Sequence, residues 1–155
     1  MKKKLTIVIP AFNEAKYIPN LLKKITAVNL ARLNFSKEII LVDDGSTDET
    51  KRIVKKNKRI KYLKQYNQGK GSAVQKGIKN ASGDVVLVQD ADLEYDPKDY
   101  LKLLKPFLDN KKIAVYGSRY LNKNIFSYSF KKDNKQSYLA FIFNFFLSLY
   151  FYILF

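Results

Sequence analysis

The sequence predicts an α/β domain in which a mostly parallel sheet lies between two layers of helices. Short apolar runs alternate with segments whose apolar residues recur at helical spacing, and each run ends in polar or acidic turn residues. This alternation is typical of parallel strands joined by right-handed helical crossovers. With 155 residues, 46% of them hydrophobic, the chain is long enough to bury a sizeable core as one domain.

Two strand–turn–helix units occupy the first third of the chain. The first strand covers residues 5–9 and is followed by the polar turn 10–14. The helix after it has apolar residues at helical spacing: Ile18, Leu21, Leu22, Ile25 and Val28. The second strand covers residues 38–42 and ends in the acidic turn 43–48. Ser46 and Glu49 have the spacing of a capping box for the next helix.

Three further strands are predicted. A short strand over 60–63 leads through the loop 67–71 to a helix whose apolar face comprises Ala73, Val74, Gly77 and Ile78. Residues 85–89 form a fully buried strand, and Pro97 then begins a helix that carries Leu101, Leu104 and Leu108. The fifth strand covers 113–116. Since the predicted sheet is mostly parallel, the polar turns are expected to meet at one of its edges.

Asp90 and Asp92 follow the fourth strand at once, which places two carboxylates in the crevice at the carboxyl ends of the strands. Hard oxygen ligands spaced one residue apart suit one Mg²⁺ or Mn²⁺, and such an ion on a diphosphate neutralises a leaving nucleotide. An acidic turn that only caps the following helix is the competing interpretation.

The ordered set of turn motifs resembles the family 2 glycosyltransferases of the GT-A fold, a Rossmann-like α/β fold. Within that family it is similar to the polyprenyl-phosphate (dolichyl-phosphate-like) mannose and glucose synthases. The matching stretches are 8–14, 38–48, 67–71, 89–94 and 117–119. The resemblance implies a nucleotide-sugar-binding domain over residues 1–122.

The resemblance also implies roles for individual residues. Those that bind the nucleotide sugar are Pro10, Ala11, Asn13, Glu14, Asp43, Asp44, Lys70, Asp90, Ala91, Asp92 and Arg119. Asp43 and Asp44 would contact the base or ribose, and Lys70 and Arg119 the diphosphate. Asp90, Asp92 and Glu94 would hold the metal, and Asp92 and Arg119 would be catalytic.

Each of these roles has a simpler alternative. Asn13 and Glu14 would serve as a helix cap, and the turn 43–48 would only cap the next helix. Lys70, between two glycines, would belong to a flexible surface turn, and Arg119 would be an ordinary surface cation.

The reaction implied by the resemblance is transfer of a hexose from a UDP- or GDP-sugar to an acceptor, expected to be polyprenyl phosphate, with inversion. A phosphate acceptor is already anionic near neutral pH, so the lack of histidine does not count against catalysis. A non-catalytic nucleotide-sugar-binding fragment is the alternative. A nucleotidyltransferase is disfavoured because its Gly-rich, basic N-terminal loop is missing between Ile9 and Ala15.

The net charge of +15 points to anionic partners. No recognised nucleic-acid-binding motif is present, so we expect no nucleic acid partner and instead expect phosphate ligands and a membrane surface. The lack of cysteine excludes disulfides and thiolate chemistry. Lys2 leads directly into a strand rather than into a signal sequence, which places the expected site on the cytoplasmic face of the membrane.

Residues 123–155 are expected to form a basic linker and an apolar helix. The segment 138–155 approaches the length needed to cross a bilayer, but its less apolar stripe, Ala140, Asn144 and Ser148, favours a helix on the membrane surface. Packing on a partner protomer is a third possibility. The family's catalytic domain continues beyond this length, so we expect a truncated chain whose acceptor region is absent or supplied by a homo-oligomer or another partner.

Overall fold

The computed structural model describes residues 2–109 and 114–115. Its sheet has four parallel strands, in the order β3-β2-β1-β4. The strands are β1 (Lys3–Ala11), β2 (Phe35–Asp43), β3 (Ile60–Lys64) and β4 (Val85–Val88). The predicted α/β class with a parallel sheet is therefore confirmed for the described part of the chain.

Helices cover both faces of this sheet. They are α1 (Ile18–Ala27), α2 (Thr50–Lys55), α3 (Lys70–Lys79) and α4 (Tyr100–Leu104), with short 3₁₀ segments at Leu30–Leu33, Pro97–Asp99 and Lys105–Asp109. Leu5, Ile7 and Ile9 of β1 are fully buried in a cluster that also contains the apolar residues of α1 and Val54 of α2. The opposite face packs against α3, which gives the predicted three layers.

The helix α3 lies very close to β1 and β2. Ala73 is fully buried with Ile40 and Val42 of β2. At Gly77 a Cβ atom would overlap Cγ1 of Val8, so no side chain fits between the helix and the sheet at this point. This close packing sets the distance between α3 and the sheet.

The strand register aligns the turns that follow the strands. Ala11, the last residue of β1, pairs with Asp43, the last residue of β2. Val88, which ends β4, pairs with Val8, three residues before the end of β1. The turns after β1, β2 and β4 therefore leave the sheet at the same edge.

Three predicted features differ in the structure. The strand β4 is not fully buried, because α3 lies over β1 and β2 and leaves Val86 and Val88 38% and 45% exposed. Ile78 of α3 is also exposed. The helix predicted from Pro97 divides into 3₁₀, α and 3₁₀ segments. Pro106 has no backbone N–H to donate to the carbonyl four residues before it, and α4 ends at Leu104.

Some predictions fall on other parts of the chain. Of the predicted strand 113–116, the structure describes only Ala114 and Val115, which have no regular secondary structure. Arg119 and the segment 123–155, with its expected apolar helix, lie outside the described residues. Within those residues, none of the helices has the length and apolar character needed to traverse a bilayer.

Candidate functional site

A pocket opens at the carboxyl edge of the sheet, between the turns after β1, β2 and β4 and the start of α3. It is lined by Pro10, Ala11, Phe12, Glu14, Asp44, Lys70, Ala73, Asp90, Ala91 and Asp92. Most of the residues predicted to bind a nucleotide sugar therefore lie around one cavity. Asn13 and Asp43 do not line it.

Asp44 lines the pocket and organises the loop before α3. Its Oδ1 accepts hydrogen bonds from Gln65 Nε2 at 2.8 Å and the backbone N–H of Gln68 at 2.9 Å. Its Oδ2 accepts one from the N–H of Gly69 at 2.8 Å. Burial opposes ionisation, but these three bonds lower the pKa of Asp44 below its usual value. The carboxylate thus fixes the residues that precede Lys70.

Asp43 is completely buried and stabilises its own turn. Its Oδ1 accepts a hydrogen bond from the N–H of Ser46 at 2.8 Å, and its Oδ2 accepts one from the hydroxyl of Tyr62. Burial, this hydrogen bond and the charge of Asp43 raise the pKa of Tyr62. The structure therefore places Asp43 behind the pocket wall rather than on it.

Asn13 joins the turn after β1 to the turn after β2. It adopts left-handed backbone geometry, with φ at 57°, which asparagine tolerates better than most residues. Its Oδ1 accepts a hydrogen bond from the N–H of Thr47 at 2.8 Å, and its own N–H donates to Ser46 Oγ at 2.9 Å. Asn13 is thus a connector between two loops and does not cap α1, which has no side-chain cap.

The predicted capping box of Ser46 and Glu49 is wrong. Ser46 Oγ accepts from Asn13 instead, and α2 begins only at Thr50, whose N–H donates to Asp48 Oδ1 at 3.0 Å. The spacing of Ser46 and Glu49 fits a capping box, but the Ser46 hydroxyl oxygen accepts a hydrogen bond from a different turn. The local sequence around Ser46 does not indicate this bond, because Asn13 lies 33 residues away.

Glu14 brings a further carboxylate to the pocket. Its N–H donates to Thr50 Oγ1 at 3.1 Å, which holds it beside the second turn. Burial, followed by the charges of Asp92 and Asp48, raises the pKa of Glu14. The pocket therefore has a negative side that would favour a bound cation.

Lys70 and Asp90 form an ion pair across the pocket. Lys70 Nζ lies 2.7 Å from Asp90 Oδ1, and the two side chains are 63% and 24% exposed. Lys70 is the first residue of α3 and is held by the loop that Asp44 fixes. A cation and the first of the two predicted metal-binding carboxylates are therefore in direct contact.

The turn Asp92–Glu94 is tight and strained. Asp92 Oδ1 accepts a hydrogen bond from the N–H of Glu94 at 3.0 Å, and Leu93 between them has φ at 65°. A bulky residue rarely adopts this conformation. Glu94 is exposed. Among the described residues, no three acidic, histidine or cysteine side chains lie close enough to hold a metal ion, so Glu94 is not gathered with Asp90 and Asp92.

A buried pair below this turn was not predicted from the sequence. Gln89 is 1% exposed, and its Nε2 donates to the carbonyl of Asp90 at 2.9 Å. Its Oε1 accepts a hydrogen bond from the hydroxyl of Tyr100 at 2.7 Å. The only sequence feature that could have indicated this pair is a glutamine at the end of an apolar run. The pair anchors the acidic turn to the helical layer.

The donor set suits a divalent cation. Asp90 and Asp92 offer hard carboxylate oxygens on one pocket wall, and Asp90 already binds the positive charge of Lys70. Mg²⁺ commonly binds through one or two carboxylates, with phosphate oxygens and water as its other ligands. Two carboxylates beside an open pocket fit that pattern.

Sequence comparison identifies relatives of this chain. The model of the glycosyl transferase family 2 matches residues 6–153. A dolichyl-phosphate beta-glucosyltransferase of Trichomonas vaginalis is 35% identical over 133 residues, which are 77% of this chain and 41% of that protein. An undecaprenyl-phosphate 4-deoxy-4-formamido-L-arabinose transferase of Photorhabdus laumondii is 36% identical over 109 residues, 66% of this chain and 33% of that protein.

Structural comparison agrees with this relationship. The mannosyltransferase PcManGT from Pyrobaculum calidifontis, solved in complex with GDP-Man and Mn²⁺, superposes with a TM-score of 0.56 at 26% identity. The match covers 65% of this chain and 31% of that one. The chain spans between a third and a half of the length of the curated relatives it matches. The strand order, the edge pocket and the family match over residues 6–153 together show that the chain belongs to glycosyl transferase family 2.

Proposed function

We propose that this chain binds a UDP- or GDP-sugar and transfers its hexose to polyprenyl phosphate with inversion. The observation that carries the proposal is the pocket in which Lys70 meets Asp90 beside Asp92, at the carboxyl edge of the parallel sheet. The relatives named as dolichyl-phosphate and undecaprenyl-phosphate sugar transferases support the choice of acceptor.

In this proposal the diphosphate of the donor lies between Lys70 and the acidic turn. Asp90 and Asp92 would hold Mg²⁺ or Mn²⁺, which supplies charge neutralisation for the departing nucleoside diphosphate. The Lys70 ammonium would exchange part of its contact with Asp90 for the phosphate oxygens. Arg119, which lies outside the described residues, is proposed from the family resemblance as a second diphosphate ligand.

Asp44 is proposed to contact the ribose as well as the loop. A carboxylate can accept about four hydrogen bonds. Asp44 already accepts three from the protein. One position would remain for a ribose hydroxyl. Asp43 and Asn13 would act indirectly, because both are committed to holding the turns that shape the pocket wall.

The transfer step needs little proton chemistry. A phosphate oxygen of the acceptor attacks the anomeric carbon from the face opposite the diphosphate, and the bond to the diphosphate breaks with its electron pair leaving on the nucleotide. The acceptor is already ionised near neutral pH, so no strong general base is required. Positioning and charge stabilisation would supply most of the rate. We expect the reaction on the cytoplasmic face of the membrane.

Two measurements on the same preparation test this proposal. Donor binding is measured by calorimetry with UDP- and GDP-sugars, with and without Mn²⁺, and turnover is measured with polyprenyl phosphate added. Metal-dependent binding and inverted product would support it. Binding without turnover would favour a non-catalytic nucleotide-sugar-binding chain, and failure to bind any nucleotide sugar would contradict both.

A further inference from the structure

One stretch of the chain carries positive charge without any acidic residue. From residue 51 to residue 83 the sequence contains eleven lysine and arginine residues and no aspartate or glutamate. This stretch comprises α2, β3 and α3, so three consecutive elements share the same charge. Lys70 belongs to the pocket. We call the other ten the cationic face: Lys51, Arg52, Lys55, Lys56, Lys58, Arg59, Lys61, Lys64, Lys76 and Lys79.

The cationic face is continuous around the free edge of β3. Lys55 Nζ of α2 lies 5.8 Å from the centre of the Tyr62 ring on β3. On the other side, Lys76 Nζ of α3 donates to the carbonyl of Lys64 at 2.6 Å, and Lys61 Nζ donates to the carbonyl of Asn80 at 3.0 Å. The side chains of α2 and α3 thus both reach β3.

The charge on this face has almost no neutralising partner within the described part of the chain. Arg52 pairs with Glu49, and no other ion pair described there involves the face. All its members except Lys76 are exposed. Ten cations around one edge of the sheet would attract a polyanionic partner strongly at low ionic strength.

We propose that the cationic face binds the surface of a membrane that contains anionic lipids. Eight of its ten cations are lysines, whose compact ammonium groups interact with lipid headgroups as point charges, whereas phosphate readout in nucleic acids favours the bidentate arginine fork. The face surrounds β3, the edge strand of the described sheet. The choice of a lipid surface also rests on the proposed function, which requires a lipid-linked acceptor near the pocket.

Tyr66 supports the same orientation. It follows β3 directly and is 89% exposed, the largest exposure among the large hydrophobic residues described. Its neighbours Gln65 and Gln68 bond to Asp44 at the pocket. Tyrosine favours the boundary between water and lipid, because its ring is apolar and its hydroxyl is polar. A bilayer against this face would therefore lie beside the pocket rim.

Vesicle binding tests the proposal with no donor or acceptor present, so its outcome is independent of catalysis. The full chain is sedimented with phosphatidylcholine vesicles, with and without phosphatidylglycerol, over a range of salt concentrations. We expect binding only to the anionic vesicles, weakened by salt. The variant Lys51→Gln/Lys56→Gln/Lys58→Gln should lose affinity by about tenfold or more. Among the described residues, the side chains of these three lysines make no hydrogen bond or ion pair.

The matched control is Lys2→Gln/Lys98→Gln/Lys105→Gln, which removes the same charge from exposed positions outside the cationic face. It should retain affinity within about threefold. An equal loss in both variants, or no loss in the first, would overturn the assignment to this face. Equal binding to neutral vesicles would also overturn it. Tighter binding of duplex DNA than of anionic vesicles at the same salt, abolished in the first variant, would show a nucleic acid surface instead.

Discussion

The turns after β2 and β4 both begin with acidic residues, yet they use their carboxylates in opposite ways. Asp43 and Asp44 are 0% and 4% exposed, and together they accept five hydrogen bonds from the protein. Asp90 and Asp92 line the pocket, where the first pairs with Lys70 and the second accepts a hydrogen bond from the Glu94 N–H of its own turn.

The difference shows how a strand end becomes either a support or a binding surface. The turn after β2 is central in the sheet, between the turn after β1 and the loop that follows β3. The loop after β3 donates hydrogen bonds to Asp44, and the turn after β1 donates to Ser46 and Asp48. The turn after β4 adjoins β1 alone in the described sheet. Fewer neighbours leave its carboxylates available for a ligand.

The largest expected effect is on the turn after β4. Asp92→Asn should abolish metal-dependent binding of UDP or GDP, because it removes the charge of one of the two proposed carboxylate ligands, while the free energy of unfolding changes by less than about 0.5 kcal/mol. Calorimetry with and without Mn²⁺ measures the first and urea unfolding the second. Asp109→Asn, at an exposed position, is the charge-matched control. Unchanged metal dependence in Asp92→Asn would contradict the metal assignment.

The turn after β2 should respond in the opposite way, through stability. Asp44→Ala leaves three donors without an acceptor, so we expect the free energy of unfolding to fall by about 3 kcal/mol. Because the folded-state pKa of Asp44 lies below its ordinary 3.8, the carboxylate stabilises fully above that value, and this contribution is lost as pH falls through the lowered pKa. Urea unfolding should therefore show a smaller difference from wild type in acid. Weaker nucleotide binding at unchanged stability would mean that Asp44 acts only on ligand.

Substitutions at Gln89 and Tyr100 test whether this buried pair anchors the turn after β4. Gln89→Leu leaves the Tyr100 hydroxyl and the Asp90 carbonyl without their partner and should cost about 2 kcal/mol of unfolding free energy. Tyr100→Phe should remove part of the same interaction, so the double variant should cost less than the sum of the two. Strict additivity in urea unfolding would show that the two side chains do not act together.

The smallest expected effect is on stability at Ser46, and it distinguishes the observed bond to Asn13 from a capping box with Glu49. Ser46→Ala removes the acceptor for the Asn13 N–H and should cost about 1 kcal/mol. Glu49→Gln should change stability by less than about 0.5 kcal/mol, since its ion pair with Arg52 is exposed. Comparable losses for both in thermal or urea unfolding would restore the capping box.

Local sequence was enough to predict the sheet and the residues around the pocket. Apolar runs located four strands, and the parallel arrangement explains why Asp44, Lys70, Asp90 and Asp92 meet at one edge. The periodicity of each element and the rule that parallel strands end together were sufficient for these features. The metal, the substrate and the role of Arg119 stay predictions.

The parts that sequence could not provide depend on contacts between distant turns. Ser46 has two candidate partners, and only the folded chain shows that Asn13, 33 residues away, takes its hydroxyl. Asp43 and Asp90 look alike in sequence and differ only in how many loops surround them. The exposure of Val86 depends on where α3 crosses the sheet, which no local pattern records.

The absence of a side chain at Gly77 has a consequence for how mutational data on this domain are read. Lys70 lies two turns away on the same helix, about 10 Å along its axis. Any residue larger than glycine at 77 would push α3 off Val8 and shift Lys70 with it. A mutational scan would then classify position 77 among donor-affinity determinants although it contacts no ligand, so sensitivity to substitution alone would overstate the extent of the pocket.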